Sequence, residues 1–278
     1  MSGRRIRRVS AMLGVVSIVL LLGISSSGVA KTSHGLAAIA APSYVAIDAE
    51  TGRVLVARGA TVRRPIASLT KVMTALVVIE RGDLGRAVRV TPQVVAVDDY
   101  REGLLPGRRY SRMTLLRSSL IVSANDSSTA LAIDAGGGAL RRFYALMNER
   151  ARSIGMTRTT YASASGLDDD RNLSTALDQA ILAQDALHNP TLAAIVRTRK
   201  FRTKWPAPTY VKVWVNHNKM LFTTPGTYGV KTGWTTRAGG CLVVAQRRGG
   251  RAVIGVVLGS PSIWTDMSAL LDTAFRRA

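Results

Sequence analysis

Apolar and polar positions divide the 278 residues into blocks whose period changes along the chain. Tyr44-Val45-Ala46-Ile47-Asp48 reads as a strand, Glu50-Thr51-Gly52 as a turn, and Arg53-Val54-Leu55-Val56-Ala57 as the returning strand. After Pro65 the period becomes helical. Met73, Leu76, Val77 and Ile79 recur on a segment that also carries Ser68 and Lys71 and stops near Arg81-Gly82. Ala87-Val88-Arg89-Val90 is a short extended piece. The middle reads as helices: Thr114 to Val122, Asp126 to Ala135 before the Gly136-Gly137-Gly138 break, and Leu140 to Ile154. Ser174-Thr175-Ala176-Leu177-Asp178 opens a fourth helix, with Ser174 placed to cap it. The end returns to β structure. Gly229 to Trp234 is one strand. Gly240 to Gln246 and Ala252 to Leu258 are neighbours joined by an Arg248-Gly249-Gly250 turn, and Thr265 to Arg276 is a closing amphipathic helix. There is no internal repeat. The order predicts an α/β fold: a sheet assembled from both ends of the chain, with an all-helical lobe over about residues 90–200 inserted between them.

The N-terminus does not fit that pattern. Arg4, Arg5, Arg7 and Arg8 precede an apolar run, Ala11 to Ile24. At about 14 residues this run is short of the roughly 20 that a membrane span needs. Ser25 to Ala30 is small and ends in Gly28-Val29-Ala30, a suitable cleavage site. Residues 1–30 therefore read as a signal peptide, 31–42 as a linker and 43–278 as the folded domain. The protein is expected to be exported to the periplasm or cell-wall space, with an uncleaved N-terminal anchor as the alternative.

The net charge is +21, and loss of the four leader arginines leaves +17 (21 − 4). That balance favours anionic partners. Export argues against nucleic acid and toward an anionic wall polymer or membrane surface. The 38 basic residues include 31 arginines, which are scattered rather than clustered, a spread that also fits compositional bias with no dedicated partner. Cys241 is the only cysteine, so no intramolecular disulfide forms, and its apolar neighbours mark a core position.

Three short motifs carry candidate chemistry: Ser68-Leu69-Thr70-Lys71, Ser123-Ala124-Asn125 and Lys231-Thr232-Gly233. With 7 lysines and serine at roughly 8% of residues, about half of one S-x-x-K match is expected by chance. K-T-G is expected only about 0.05 times. Taken singly, Ser68 and Lys71 suit an ordinary helix surface, Asn125 a turn and Lys231 a solvated strand end. In this order and together they are the signature of penicillin-interacting serine acyl-transfer enzymes.

The chemistry explains the residue types. A serine hydroxyl needs a base to become a nucleophile. Lys71, at i+3, can bring its Nζ beside Ser68 Oγ. A nearby cation, Lys231, would lower the Lys71 pKa so that it can act as that base. Ser123 can relay the proton, and Asn125 can orient both the lysine and a substrate amide. Lys231 can also meet a terminal carboxylate. The Lys231-Thr232-Gly233-Trp234 strand can pair with an extended peptide, with Gly233 allowing close approach. The Ser68 and Trp234 N–H groups are the candidate oxyanion hole. His34, His188 and His217 are the only histidines and no G-x-S-x-G occurs, which argues against a Ser-His-Asp hydrolase. No H-E-x-x-H or cysteine cluster offers a zinc site, and no Gly-rich loop has the spacing for a phosphate. His217 reads as a surface residue or one standing behind the site.

On these motifs the chain resembles the low-molecular-mass penicillin-binding proteins, the serine D-alanyl-D-alanine carboxypeptidase family. Pro65 to Ala75, Leu120 to Ala132, Phe143 to Asn148, Gly155-Met156-Thr157, Ser165 to Asp168 and Ser174 to Asp178 are similar too, so the resemblance runs from about Tyr44 to the end. It implies a β-lactamase/transpeptidase-like fold, an antiparallel sheet flanked by helices, with the site between sheet and helical lobe. It implies removal of the terminal D-alanine of peptidoglycan stem peptides through a Ser68 acyl-enzyme, with β-lactams as covalent inhibitors and no metal or organic cofactor. Ser163-Ala164-Ser165 departs from the family's Asn-Pro-His, which puts substrate contacts near that loop in question. The chain ends soon after its last helix, without the C-terminal β domain and anchor of many relatives. Relatives of that kind include D,D-endopeptidases that cut cross-links. A class A-like β-lactamase would need a glutamate between Ile154 and Arg199, where only aspartates such as Asp168 to Asp170 occur. A penicillin-sensing receptor would have no need of Lys71 or Ser123.

Overall fold

The computed structural model describes residues 39–206 and 209–278. The signal-peptide expectation (1–30) and most of the linker lie outside the described residues. The chain starts with the antiparallel pair β1 (Ser43–Asp48) and β2 (Val54–Arg58). A short β3 (Arg64–Pro65) and a 3-10 turn (Ala67–Leu69) lead into helix α1 (Thr70–Glu80). Next come β4 (Ala87–Arg89), α2 (Pro92–Val95), β5 (Arg109–Ser111), α3 (Arg112–Ile121), α4 (Asn125–Ala135) and α5 (Leu140–Ser153). They are followed by β6 (Leu173–Ser174), α6 (Ala176–Leu187) and α7 (Pro190–Val196), then a hairpin of β7 (Lys200–Pro206) and β8 (Thr209–Val215). The chain closes with α8 (Met220–Thr223), β9 (Thr227–Thr235), β10 (Gly239–Arg248), β11 (Arg251–Ser260) and α9 (Ile263–Phe275).

The main sheet has the order β2-β1-β11-β10-β9, with every pair antiparallel. Its central strands are near-continuous apolar runs because both faces are covered. Alternation divides them. Leu242, Val244, Val253 and Val257 pack with Met267, Leu270 and Leu271 of α9. Val243, Ala245, Ile254 and Val256 face the other cluster, with Val72, Met73 and Leu76 of α1. Each such side chain contributes about 1.5–3 kcal/mol when fully buried. Helix α1 is the hub: nine of its 11 residues are buried. It touches α3, α4 and α5 on one side and α6 and α7 on the other.

Several boundaries differ from the sequence reading. The packed chain begins before the 42/43 boundary, since Ile39 and Ala41 are buried. The inserted lobe is shorter than 90–200, because α6 lies on β1 and β11, and α7 on β9. Thr175, not Ser174, caps α6 by accepting a bond from Asp178 N, while Ser174 Oγ bonds Thr159 and Gln179. The β7–β8 hairpin is absent from the predicted elements.

The segment that leads into β1 is held by one carboxylate. Asp266, buried in α9, accepts from Ala40 N at 2.9 Å, Ala41 N at 2.8 Å and Ser260 Oγ at 2.6 Å. Replacing Asp266 with alanine strands those donors without an anion, and a loss of about 3 kcal/mol of unfolding free energy is expected. Chemical denaturation measures it. An unchanged midpoint would show that residues 40–41 add nothing to the fold.

Candidate active site

Ser68 sits on the 3-10 turn that feeds α1, and two close approaches hold that turn. Gly166 lies so near that a Cβ there would fall 1.9 Å from the Ala67 carbonyl oxygen. A Cβ on Gly233 of β9 would fall 2.9 Å from the Ser68 amide nitrogen. Only glycine lets both backbones reach the nucleophile turn. Ser68 is therefore just ahead of the regular helix rather than within it, yet Lys71 Nζ still reaches Ser68 Oγ at 2.7 Å.

Lys71 is fully buried, and its Nζ has two further partners at 2.7 Å, Asn125 Oδ1 and the Ser165 carbonyl. Both can only accept. Asn125 is orientated by its own amide, which donates to the carbonyls of Asp98 and Asp99 at 3.2 Å each. A neutral lysine has two protons and one lone pair. The protons go to Asn125 and Ser165, which leaves the lone pair facing the Ser68 hydroxyl. Burial first, and then the charge of Lys231, hold the Lys71 pKa well below its ordinary value, with Asp126 acting in the opposite sense.

Lys231 comes from β9. It too is buried, and it donates to Ser123 Oγ and to the Thr232 carbonyl, both at 2.9 Å. Burial brings its pKa down to about 7. Ser123 occupies the link between α3 and α4 with a left-handed backbone, φ +63°. All three predicted motifs thus converge on Ser68.

Two cavities flank Ser68. One, of about 150 Å³, is walled by Ser123, Tyr100, His217, Thr232, Gly233 and Trp264. The other, of about 240 Å³, is walled by Asn125, Tyr100, Gly166, Asp168 and Thr235. Trp234, 66% exposed, and Tyr100, 70% exposed, border both. Strand β9 ends the sheet order, so its outer edge is unpaired among the described strands where it passes Ser68. A larger cavity of about 380 Å³, lined by Gln184, His188 and Tyr228, contains none of the motif residues.

Some contributors are not marked in the sequence. Tyr100 rides on a loop clamped by the start of α4. The Asn125 amide donates to Tyr100 O at 2.8 Å, and the buried Asp126 carboxylate accepts from the amides of Glu102, Gly103 and Leu104. Asp126 had a signal, its place beside Asn125; Tyr100 had none. His217 is exposed, as the first of its two sequence readings has it, and forms a wall of the cleft with its ring edge-on to Tyr100 at 6.2 Å rather than standing behind the site. The Ser163-Ala164-Ser165 departure leaves the lysine contact intact, because the bond to Lys71 comes from a carbonyl that any residue supplies. Cys241 pairs with Gly233 across the ladder in the core, where burial raises its thiol to about 11. Among the described residues no group of His, Cys, Asp and Glu converges to hold a metal.

With this geometry, the likeness to known proteins is specific. The peptidase S11 family model, described as D-alanyl-D-alanine carboxypeptidase, matches residues 29–262. A D-alanyl-D-alanine carboxypeptidase of Streptomyces sp. (strain K15) is 32% identical over 274 residues, 93% of this chain and 94% of that protein. A D-alanyl-D-alanine endopeptidase of Escherichia coli (strain K12) is 31% identical over 258 residues, 88% of this chain and 82% of that protein. The crystal structure of the Streptomyces K15 DD-transpeptidase superposes with a TM-score of 0.80 at 31% identity, covering 86% of this chain and 98% of that one. The fold is thus that of the DD-transpeptidases and penicillin-binding proteins, and the chain belongs to the D-alanyl-D-alanine carboxypeptidase family of serine peptidases.

Proposed function

We propose that this protein is a D-alanyl-D-alanine carboxypeptidase that hydrolyses the terminal D-alanine of peptidoglycan stem peptides through a Ser68 acyl-enzyme. The observation that carries this reading is the buried Lys71, whose two other partners are acceptors and whose lone pair is left for Ser68. The stem peptide lies along the free edge of β9. Its terminal carboxylate meets Lys231, and that anion favours the protonated lysine. Asn125 holds the peptide amide. Lys71 takes the Ser68 proton as Oγ attacks the carbonyl carbon of the penultimate D-alanine. The Ser68 and Trp234 amides stabilise the oxyanion. The proton on Lys71 passes through Ser123 to the departing amine, so D-alanine leaves with Lys71 neutral and the Ser123 hydroxyl restored. Water, deprotonated by Lys71, then attacks the ester, and Ser68 recovers its proton as the shortened peptide departs. A β-lactam acylates Ser68 by the same first step, but its amine stays tethered.

The N-terminal arginines and apolar run support export to the cell-wall space, where that substrate is found. A D,D-endopeptidase is the second reading, and the similarity to the E. coli endopeptidase supports it without placing it above the carboxypeptidase.

Two experiments test these assignments. Incubation with a stem pentapeptide and with cross-linked muropeptides, followed by mass analysis, is expected to give free D-alanine and tetrapeptide. Ser68→Ala should lower the rate by several orders of magnitude and abolish fluorescent penicillin labelling. Cross-link cleavage without D-alanine release from pentapeptide would replace the carboxypeptidase with the endopeptidase, and Ser68→Ala that still labels would dismiss both. The second concerns pH. Lys71 must be neutral to act, so acylation rises with pH through its depressed pKa. Lys231→Ala removes a charge that opposes protonation of Lys71. The Lys71 pKa then rises, and the acidic limb of the β-lactam acylation profile should move to higher pH. A limb that stays in place or moves to lower pH would mean that Lys231 does not tune the base.

A further inference from the structure

Hairpin β7–β8 has two unlike faces. On the inner one, Phe201 stacks on Trp214 with ring centroids 5.8 Å apart. Trp205 meets Trp214 edge-on at 5.9 Å and Tyr110 of β5 at 5.0 Å. Arg117 of α3 covers Phe201 at 4.4 Å, and Lys212 pairs with Glu102. Trp205 and Trp214 are buried, so this face is cemented to the helical lobe.

The two-residue period of the strand sends Val211, Val213 and Val215 to the opposite face, where they are 53%, 55% and 45% exposed. Their partners across the ladder are Lys204, Arg202 and Lys200, in that order, and all three are exposed. None of these cations takes part in an ion pair among the described residues. The outer face is therefore an apolar rail beside a cationic rail. Each runs for roughly 14 Å at about 3.4 Å per residue.

We propose that this face docks on an anionic lipid bilayer, with the three valines entering the acyl boundary and Lys200, Arg202 and Lys204 meeting headgroup phosphates. The pairing of the rails selects this occupant. A soluble anionic polymer would satisfy the cations and leave the valines in water. A second copy of the face would set cations against cations or cations against valines, and either arrangement leaves the cations without an anion. A bilayer interface places hydrocarbon directly beside a layer of phosphate. The rigid aromatic inner face makes the platform fixed relative to the cleft, since Val215 leads through Asn216 to His217 in the cleft wall. Docking would set the height of the active site above the membrane. This inference is independent of which peptide bond the enzyme cuts.

The test uses the full chain labelled with an environment-sensitive fluorophore at Val213→Cys; Cys241 is buried and does not compete. A label at exposed Val62→Cys reports any tethering through the N-terminal apolar segment. Vesicles of phosphatidylglycerol should shift the Val213 emission to the blue and shield it from aqueous iodide, leaving the Val62 emission unchanged. Phosphatidylcholine vesicles should do neither. Combining Lys200→Glu, Arg202→Glu and Lys204→Glu should abolish the shift, and penicillin labelling at Ser68 confirms that this variant is folded. The proposal fails if phosphatidylglycerol gives no shift, if both lipids give the same shift, or if the charge-reversed protein retains it. Binding of soluble poly(glycerol phosphate) to the hairpin, with no shift on vesicles, would assign the cations to a polymer instead.

Discussion

Two lysines buried side by side around one serine are the constraint on which the rest of this structure depends. A charged ammonium in a dry interior costs several kcal/mol unless it is paired, and among the described residues no carboxylate contacts either Nζ directly. The cost falls on the protonated form. It is relieved at Lys71 by losing the proton, and at Lys231 by an incoming anion. The same desolvation that destabilises the resting charges therefore favours the two roles proposed above, a base at Lys71 and a carboxylate receptor at Lys231.

Holding that arrangement takes segments far apart in the chain. The three Lys71 partners come from the turn before α1, the start of α4 and the loop before β6, while Lys231 comes from the sheet edge. Helix α1 can serve as the hub because it is apolar nearly all round and packed on both sides. Of the five non-glycine residues with positive φ among the described residues, Ala67, Asp99, Tyr100 and Ser123 stand at or beside the cleft. Left-handed backbone costs roughly 1–2 kcal/mol per residue, so it persists only where surrounding contacts enforce it. Here the enforcing contacts are the Asp126 clamp on residues 102–104 and the close packing of Gly166 and Gly233.

The hairpin shows the same division of labour on a different scale. Its aromatic face is spent on the helical lobe, where Trp205 and Trp214 complete the core beside Tyr110. Its valine and cation face is then left outward by the geometry of the strand alone. A contact that stabilises the lobe thus also aims a surface, and connects that surface to the cleft through three residues of chain.

The sequence alone determined the motif residues at the centre of the site and the kind of elements that bear them. Ser68, Lys71, Ser123, Asn125 and Lys231 were legible because acyl transfer by a serine–lysine pair demands those side chains, and their motifs are local. The buried strands β10 and β11 and the helices α3, α4, α5 and α9 were legible because apolar periodicity follows from local backbone geometry. What depends on distant partners was not legible. Thr175 rather than Ser174 caps α6 because Ser174 is drawn to Thr159 and Gln179. Helix α6 belongs to the sheet rather than to the lobe because its apolar face meets β1 and β11. The hairpin carries strand signals that the predicted elements leave out: Lys200, Arg202 and Lys204 alternate with Phe201, Thr203 and Trp205, and Tyr210 to Val215 is rich in valine and aromatics. Tyr100 and the Ser165 carbonyl entered the site only through folding. A backbone oxygen has no letter in the sequence, and only the tertiary structure decides where it points.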